Sequence, residues 1–492
     1  MMHGPIDGTR RRALGALGAA ALAPMLPEFA PAARAQPLPG RYTLRAAPAR
    51  LSLLGPANPH TDLWAYNGTV PGPLLRVRQG ETLRVSVAND LDTATTVHWH
   101  GLRLPNRMDG VPHVTQPPIA PGGTFDYEFA CPDAGTFWYH PHASSNVQVD
   151  MGLHGVLIVD EPSPPPVDRD VLWVLDDWRL RRDGSISVDF GSMFDASHAG
   201  RLGNTVTING RLPDRFEVQA GERIRLRIAN VANARIFALR FERHAPLVVA
   251  IDGMPCEPHA PDGGRLLLGP GMRADLILDA TGEPGETFRI VDEFVAREAY
   301  EVVTLAYRMD RRARAEPLGT RLVLPPNPVP MPDLERATRH RIVFAGGMGG
   351  MMGGGGMMGG GGMMGGGGMM GGGGMPGGMA GGHVWSINGK SATEADHSHA
   401  PILTLDRGAS YVLELVNDTM WWHPIHLHGH SFRIVSRDGK FVARQLVADT
   451  SLLPPRSRAE IAFVADNPGD WMFHCHVLEH QASGMMATIR VA

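Results

Sequence analysis

The stretch YNGTVPGPLLRVRQGETLRVSVAND, Tyr66 to Asp90, decides how this chain folds. It holds an Asn-Gly turn signal, a second Gly-containing turn, and then a run alternating apolar and polar residues up to Asn89. Alternation with a period of two is the pattern of a half-buried strand. The stretch recurs twice, as INGRLPDRFEVQAGERIRLRIAN (Ile208 to Asn230) and as INGKSATEADHSHAPILTLDRGASYVLELVND (Ile387 to Asp418). Three copies predict three similar β-sandwich domains. The 492 residues suffice for them, at roughly 150 residues per domain. The 60 Gly and 41 Pro favour strands joined by turns. A net charge of −4 offers no nucleic-acid surface.

The copies supply a register for comparing positions. Nine and eleven residues after the closing Asn, copy one has His98 and His100, and copy three has His426 and His428. Copy two has Leu239 and Phe241 there. A second register begins at a Gly late in each domain. Five and seven residues after Gly135 come His140 and His142, and the same steps from Gly469 reach His474 and His476. From Gly285 they reach Ile290 and Asp292. The outer domains thus carry two His-X-His pairs each, and the middle one none. In a strand, residues i and i+2 face the same way, so each pair aims two imidazoles at one place. One such pair is ordinarily a surface or core feature. Four at matched positions read as metal ligands, and imidazole suits copper, zinc, iron or nickel.

The segment HCHVLEHQASGMM, His474 to Met486, narrows the metal. Strand alternation turns Cys475 away from His474 and His476, toward a second site. His480 and Met485 follow it, and His423 lies three residues before His426. Two His, one Cys and a more distant Met make the ligand set of a blue-copper electron-transfer centre. In copy one the matching positions are Thr95 and Pro141. The blue centre is therefore confined to the third domain, while the eight-histidine cluster spans the first and third.

The motifs HWHG, WYHPH, HPIHLHG and HCHVLEHQASGMM resemble the four copper motifs of the three-domain multicopper oxidases. The resemblance extends over nearly the whole chain after its N-terminal segment, and points toward bacterial periplasmic copper-efflux (cuprous) oxidases and laccase-like enzymes. It implies an all-β chain of three cupredoxin-like Greek-key sandwiches at 36–165, 166–330 and 331–492. It also implies four copper ions, one-electron oxidation of a reductant, and four-electron reduction of O₂ to water. By position, type 1 copper takes His423, Cys475, His480 and axial Met485, and type 2 takes His98 and His426. One type 3 copper takes His100, His140 and His476, and the other His142, His428 and His474. Asp109 stands where the family places a proton-relaying carboxylate, although an Asp before Gly110 also fits an ordinary turn. Copper-efflux members carry a proton-donating Glu after the last His ligand. This chain has Gln481, and an amide does not donate that way.

The N-terminus reads as a twin-arginine export signal over 1–35: Arg10 to Arg12, a short Ala/Gly-rich apolar run, and small residues Ala33 and Ala35 before Gln36. That predicts a periplasmic protein with no membrane anchor after signal removal; a monomer is the expectation for its assembly, which the signal does not bear on. Cys131 and Cys256 read as small buried residues or as a pair, since three cysteines make no disulfide framework.

Residues 345–382 are almost pure Met and Gly, with a six-residue repeat. Thioethers select Cu(I), and a Gly-rich chain is flexible. Family members that oxidise Cu(I) carry Met-rich insertions in the same third of the chain. Cu(I) is therefore the leading reductant, with Asp418 and Met420 as further candidates to hold it. Small organic reductants such as phenols are the laccase-like alternative. Cu(I) sequestration by the Met segment is the non-enzymatic one.

Overall fold

Each Asn-Gly signal becomes a tight hairpin turn. Asn67 and Gly68 have φ of 54° and 72°, Asn209 and Gly210 53° and 71°, and Asn388 and Gly389 51° and 73°. Two successive left-handed residues are what a two-residue hairpin turn of this hand requires, and Asn-Gly adopts them at least cost. The Asn side chain then ties the turn to the first strand of its sandwich. Asn67 Oδ1 accepts from Arg45 N at 2.7 Å and its Nδ2 donates to Thr43 O at 2.8 Å. Asn209 repeats this on Val174 and Leu172, and Asn388 on Val343 and Arg341.

The computed structural model describes residues 41–310, 312–314, 319, 322–348, 384–394 and 400–492. The export-signal reading of 1–35 and the Met-Gly repeat both fall outside these residues. Among those described, no helix is long and apolar enough to cross a membrane.

Six sheets pair into three sandwiches. In each, the alternating strand of the repeat lies parallel to the first strand. Thr82–Asn89 runs beside Arg41–Leu51, Arg223–Asn230 beside Arg169–Trp178, and Ser410–Asn417 beside Thr338–Gly346. The facing sheets each hold one further parallel pair, such as Leu75–Arg78 with Gly155–Asp160. The inward side chains of the first two sheets, Leu44, Val85, Val87, Trp99, Phe137 and Val159 among them, form one core. The second and third sandwiches share a continuous core that includes Leu226, Leu239, Leu415 and Ile425.

The middle copy departs from the half-buried pattern, since every residue of Arg223–Asn230 is buried. Its polar face packs against the first sandwich through Trp138, Val156 and Ile158 on one side and Val174, Ala229 and Val231 on the other. The arginines caught there are paired. Arg225 meets Asp275 at 2.6 Å and Glu161 at 2.7 Å, and Arg227 meets Asp170 at 2.7 Å. Alternation reports which face is polar, and a domain interface then decides whether that face stays wet.

Candidate metal centres

The Asn that closes each repeat positions the strand that follows. Asn89, Asn230 and Asn417 are all inaccessible. Asn89 Nδ2 donates to Thr93 O and Ile119 O, Asn230 Nδ2 to Arg235 O and Leu268 O, and Asn417 Nδ2 to Trp421 O and Pro454 O. These bonds fix the loops leading to His98–His100, Phe237–Phe241 and His423–Leu427. Across the next pairing His98 opposes His140, and His426 opposes His474. In the middle sandwich Leu239 opposes Asp292, two residues beyond the Ile290 that the sequence register matched to His140.

The eight histidines of the outer sandwiches converge on one buried cavity. Ligand atoms lie within 4.8 Å of one another in the groups His98, His100, His426; His100, His140, His476; and His142, His428, His474. His98 stacks on His428 and His100 on His426, at centroid separations of 3.8 and 3.7 Å. Oxygen acceptors orient the rings. Nδ1 of His98 and His426 donate to Asp109 O and Asp449 O at 2.8 and 2.9 Å. Nδ1 of His140 and His474 donate to Pro141 O and Cys475 O at 3.0 Å each. A carbonyl only accepts, so the Nε2 atoms of these four rings carry lone pairs. Those of His98, His140 and His426 have no hydrogen-bond partner, and that of His474 faces His428 Nε2 at 3.1 Å. Burial pushes His100, His140, His142, His426, His428, His474 and His476 below the ordinary histidine range. Neutral imidazoles with converging lone pairs repel one another unless a cation sits among them, so the donor set fits a metal cluster.

The carboxylate of Asp109 reaches across the cavity. Its Oδ2 accepts from His428 Nδ1 at 2.8 Å, and Oδ1 lies 3.2 Å from His98 Nδ1. Asp449 matches it on the other side, with Oδ1 accepting from His100 Nε2 at 3.1 Å. Asp449 is not evident from sequence: Asp109 follows its repeat Asn by twenty residues and Asp449 by thirty-two, so no fixed offset marks the pair. Asp449 is also held by Arg273 of the middle sandwich, at 2.6 and 3.0 Å, and Arg273 reaches Asp252 at 3.6 Å. Gly271, at φ +83°, brings the middle sandwich's backbone against the cavity, where a Cβ would lie 2.8 Å from the His476 ring.

On the far face of the strand Gly469–Cys475 lies the second group. Cys475 Sγ is 3.5 Å from His423 Nδ1 and 3.8 Å from His480 Nδ1, and the two nitrogens are 3.2 Å apart. The centre of that triangle lies about 2 Å from each atom, the length of a metal–nitrogen bond. His480 Nε2 donates to His198 O at 2.8 Å. His423 Nε2 donates to Thr419 Oγ1 at 2.8 Å, and Thr419 donates in turn to Asn417 at 2.7 Å. Both Nδ1 atoms therefore offer lone pairs to the triangle. Burial pushes His480 down to about 3 and raises the Cys475 thiol above its ordinary range. Val477 N donates to the sulfur at 3.4 Å. Met485 is inaccessible, and its backbone carbonyl accepts from Cys475 N at 3.0 Å.

Cys131 and Cys256 are both free and buried, and burial pushes both thiols up to about 12. Asp418, a candidate for holding substrate metal, is ion-paired with Arg456. Met420 is exposed.

Three multicopper oxidase family models match residues 52–164, 169–308 and 378–492. The chain is 32% identical to Multicopper oxidase MmcO of Mycobacterium tuberculosis over 483 residues, covering 92% of this chain and 87% of that one. It is 28% identical to Laccase-2 of Botryotinia fuckeliana, covering 85% of this chain and 77% of that one. It is also 28% identical to Copper resistance protein A of Escherichia coli, covering 86% and 88%. A crystal structure of a multi-copper oxidase from Pseudomonas thermotolerans superposes with a TM-score of 0.79 at 36% identity, covering 92% of this chain and 99% of that one.

Proposed function

The chain belongs to the multicopper oxidases, and on that premise we propose that it oxidises Cu(I) to Cu(II) at the expense of O₂. The Cys475 triangle would be the type 1 site, its copper held by His423, Cys475, His480 and Met485. His98 and His426 would hold a type 2 copper. His100, His140 and His476 would hold one type 3 copper, and His142, His428 and His474 the other. Four copper ions so held would supply one-electron oxidation of the reductant and four-electron reduction of O₂ to water. The chain's part is geometric. Cys475 is covalently continuous with His474 and His476, so the two sites are joined by a few bonds. Burial of both sites lets fixed ligands and dipoles act without competing solvent.

One observation carries the choice of reductant. The described stems of the Met-Gly segment stand beside His480 and the residues that hold it. Met348 N donates to Ser197 O at 3.2 Å, beside the His198 that caps His480. Val384 N donates to Ser483 O at 2.8 Å, on the turn that follows His480. Trp385 then packs its ring 4.4 Å from that of His480. Met193, Met348 and Met420 are 57%, 55% and 53% exposed around this point, where Trp421 also meets His198 at 5.2 Å. Exposed thioethers are soft ligands that favour Cu(I) over the hydrated divalent ions of the medium. The Copper resistance protein A relative supports the reading, and export to the periplasm by the twin-arginine route accords with it.

The test is O₂ uptake by copper-loaded protein with Cu(I) and with a phenol, before and after residues 350–382 are deleted and the stems kept. Loss of Cu(I) turnover with phenol turnover retained is expected. Unchanged Cu(I) turnover would refute the role of the methionines. Phenol turnover far above that with Cu(I) favours the laccase-like reading, and Cu(I) retention without O₂ uptake favours sequestration.

A further inference from the structure

Gln481 follows the last histidine of the Cys475 triangle and is fully buried against the eight-histidine cavity, with Nε2 at 3.5 Å from His142 Nδ1. An amide has no proton to release there. The same Nε2 donates to Ser145 Oγ at 2.9 Å and to Glu394 Oε1 at 2.8 Å. Ser145 donates its backbone N–H toward the two carboxylate oxygens of Glu394, at 3.4 and 3.3 Å, and its hydroxyl to Oε1. Glu394 is thus a carboxylate brought to the cavity edge from the loop after strand Trp385–Ile387. Ser145 and Gln481 are inaccessible, whereas Glu394 is only half-buried. One end of this small network lies beside His142 and the other touches solvent.

We propose that Glu394 is the proton-relay residue of the cavity on its His142 side, held at the cavity edge by Gln481 and Ser145. The proposal rests on the oxidase reading above. Reduction of O₂ to two waters takes up four electrons and four protons, and the electrons arrive without protons when the reductant is a metal ion. Glu394 would release its carboxyl proton inward, become a carboxylate held by three donors, and regain a proton from solvent. Asp109 borders the same cavity, but it is 1% exposed and faces His98 and His428. It orients ligands and has no solvent side. Burial pushes Glu394 up to about 7, against the lowering by Ser145 and Gln481, so both of its forms are accessible near neutral pH. Among the described residues packed round it, His142 is the titratable group its partners reach. Glu479, on the same helix as Gln481, turns instead to Gly191 N at 3.2 Å.

The test pairs E394Q with the double variant E394Q/Q481E, which moves the carboxyl one link inward. E394Q should load copper and keep its blue absorption, yet lower steady-state O₂ uptake by roughly 10²-fold, the scale of a lost acid–base group, and flatten its pH profile. The double variant should recover most of the rate. In metal-free protein, the infrared carbonyl band of a protonated carboxyl should titrate near neutral pH and be missing in E394Q. A structural defect alone would not be rescued by moving the acid. E394Q with wild-type rate and pH profile overturns the relay and leaves the oxidase reading standing. A wild-type protein that takes up no O₂ overturns the oxidase reading, and the relay with it.

Discussion

Asp109 and Asp449 occupy matching places on the two sides of the histidine cavity, and among the described residues only Asp449 has a counter-cation. Each accepts from a histidine Nδ1 through its backbone carbonyl and from a second histidine through its carboxylate. Asp449 is also clasped by Arg273, which the middle sandwich supplies. Among the described residues no arginine or lysine pairs with Asp109. The middle sandwich, which lost the His-X-His pairs, therefore still serves the site: it fixes the charge and position of one of the two orienting carboxylates.

The largest effect should come from removing one side of that clasp. Asp449→Ala leaves Arg273 buried with Asp252 at 3.6 Å and, beyond ion-pair range, Asp275 to oppose it. Breaking a buried pair from one side costs about 3–5 kcal/mol. The measurement is denaturant unfolding of the metal-free protein, which keeps metal binding out of the comparison. A loss under about 1 kcal/mol would mean that Arg273 finds other partners, and that the asymmetry has no energetic content.

A second change asks whether the scaffold or the side chains decide where metal binds. Leu239→His restores an imidazole at the position of His98 and His426. Leu239 is fully buried in the shared core, and its neighbour across the pairing is Asp292. The change should cost about 2–4 kcal/mol through lost packing and a buried polar ring. Copper content by elemental analysis should stay unchanged, because one imidazole opposite the single carboxylate of Asp292 makes too small a donor set. Extra bound copper would show that the middle sandwich is still organised for ligands.

Asp109→Ala is the milder counterpart. It strands the neutral His428 N–H and no cation, because His98 donates to the backbone carbonyl that alanine keeps, so its cost should be about 1–3 kcal/mol, below that of Asp449→Ala. Both variants should lower copper affinity by about 10–100-fold in chelator competition, since both loosen ligand orientation. Equal stability losses for the two would erase the asymmetry.

Much of this site was legible in the sequence because strand geometry carries it. The period of two put both imidazoles of each pair on one face, and the opposite facing of Cys475 followed from the same rule. The three Asn-Gly turns gave the register, since their left-handed conformation restricts which residues fit. Asp449, Arg273 and Glu394 were not legible. They reach the cavity through loops of unequal length or from another sandwich, and no local periodicity marks such residues. The burial of Arg225 and Arg227 was hidden for the same reason: an alternating strand does not announce the neighbour that covers its polar face.

The smallest effect should come from a carboxylate–arginine pair at the surface, which sets the lower bound for the comparison. Arg201 is inaccessible, but its partner Asp189 is 49% exposed, with Oδ1 2.7 Å from Nη1. The hydrogen bond from Arg201 holds the Asp189 carboxyl below the usual carboxylate range. Its folded-state pKa is thus depressed, so the pair's stabilisation is fully present above the unfolded value, about 3.9. It is lost as pH falls below that value and through the folded one. Solvent screening at the exposed carboxylate limits the contribution to under about 1 kcal/mol. The pair spans the segment Asp189 to Arg201, which carries the His198 carbonyl that accepts from His480. Acidification below about pH 4 should therefore lower hydrogen-exchange protection in this segment before the core strands respond, and Asp189→Asn should give the same loss of protection at neutral pH. If the segment keeps one protection factor across that range, the pair is ornamental to the loop, and the energetic weight of such pairs lies in burial alone.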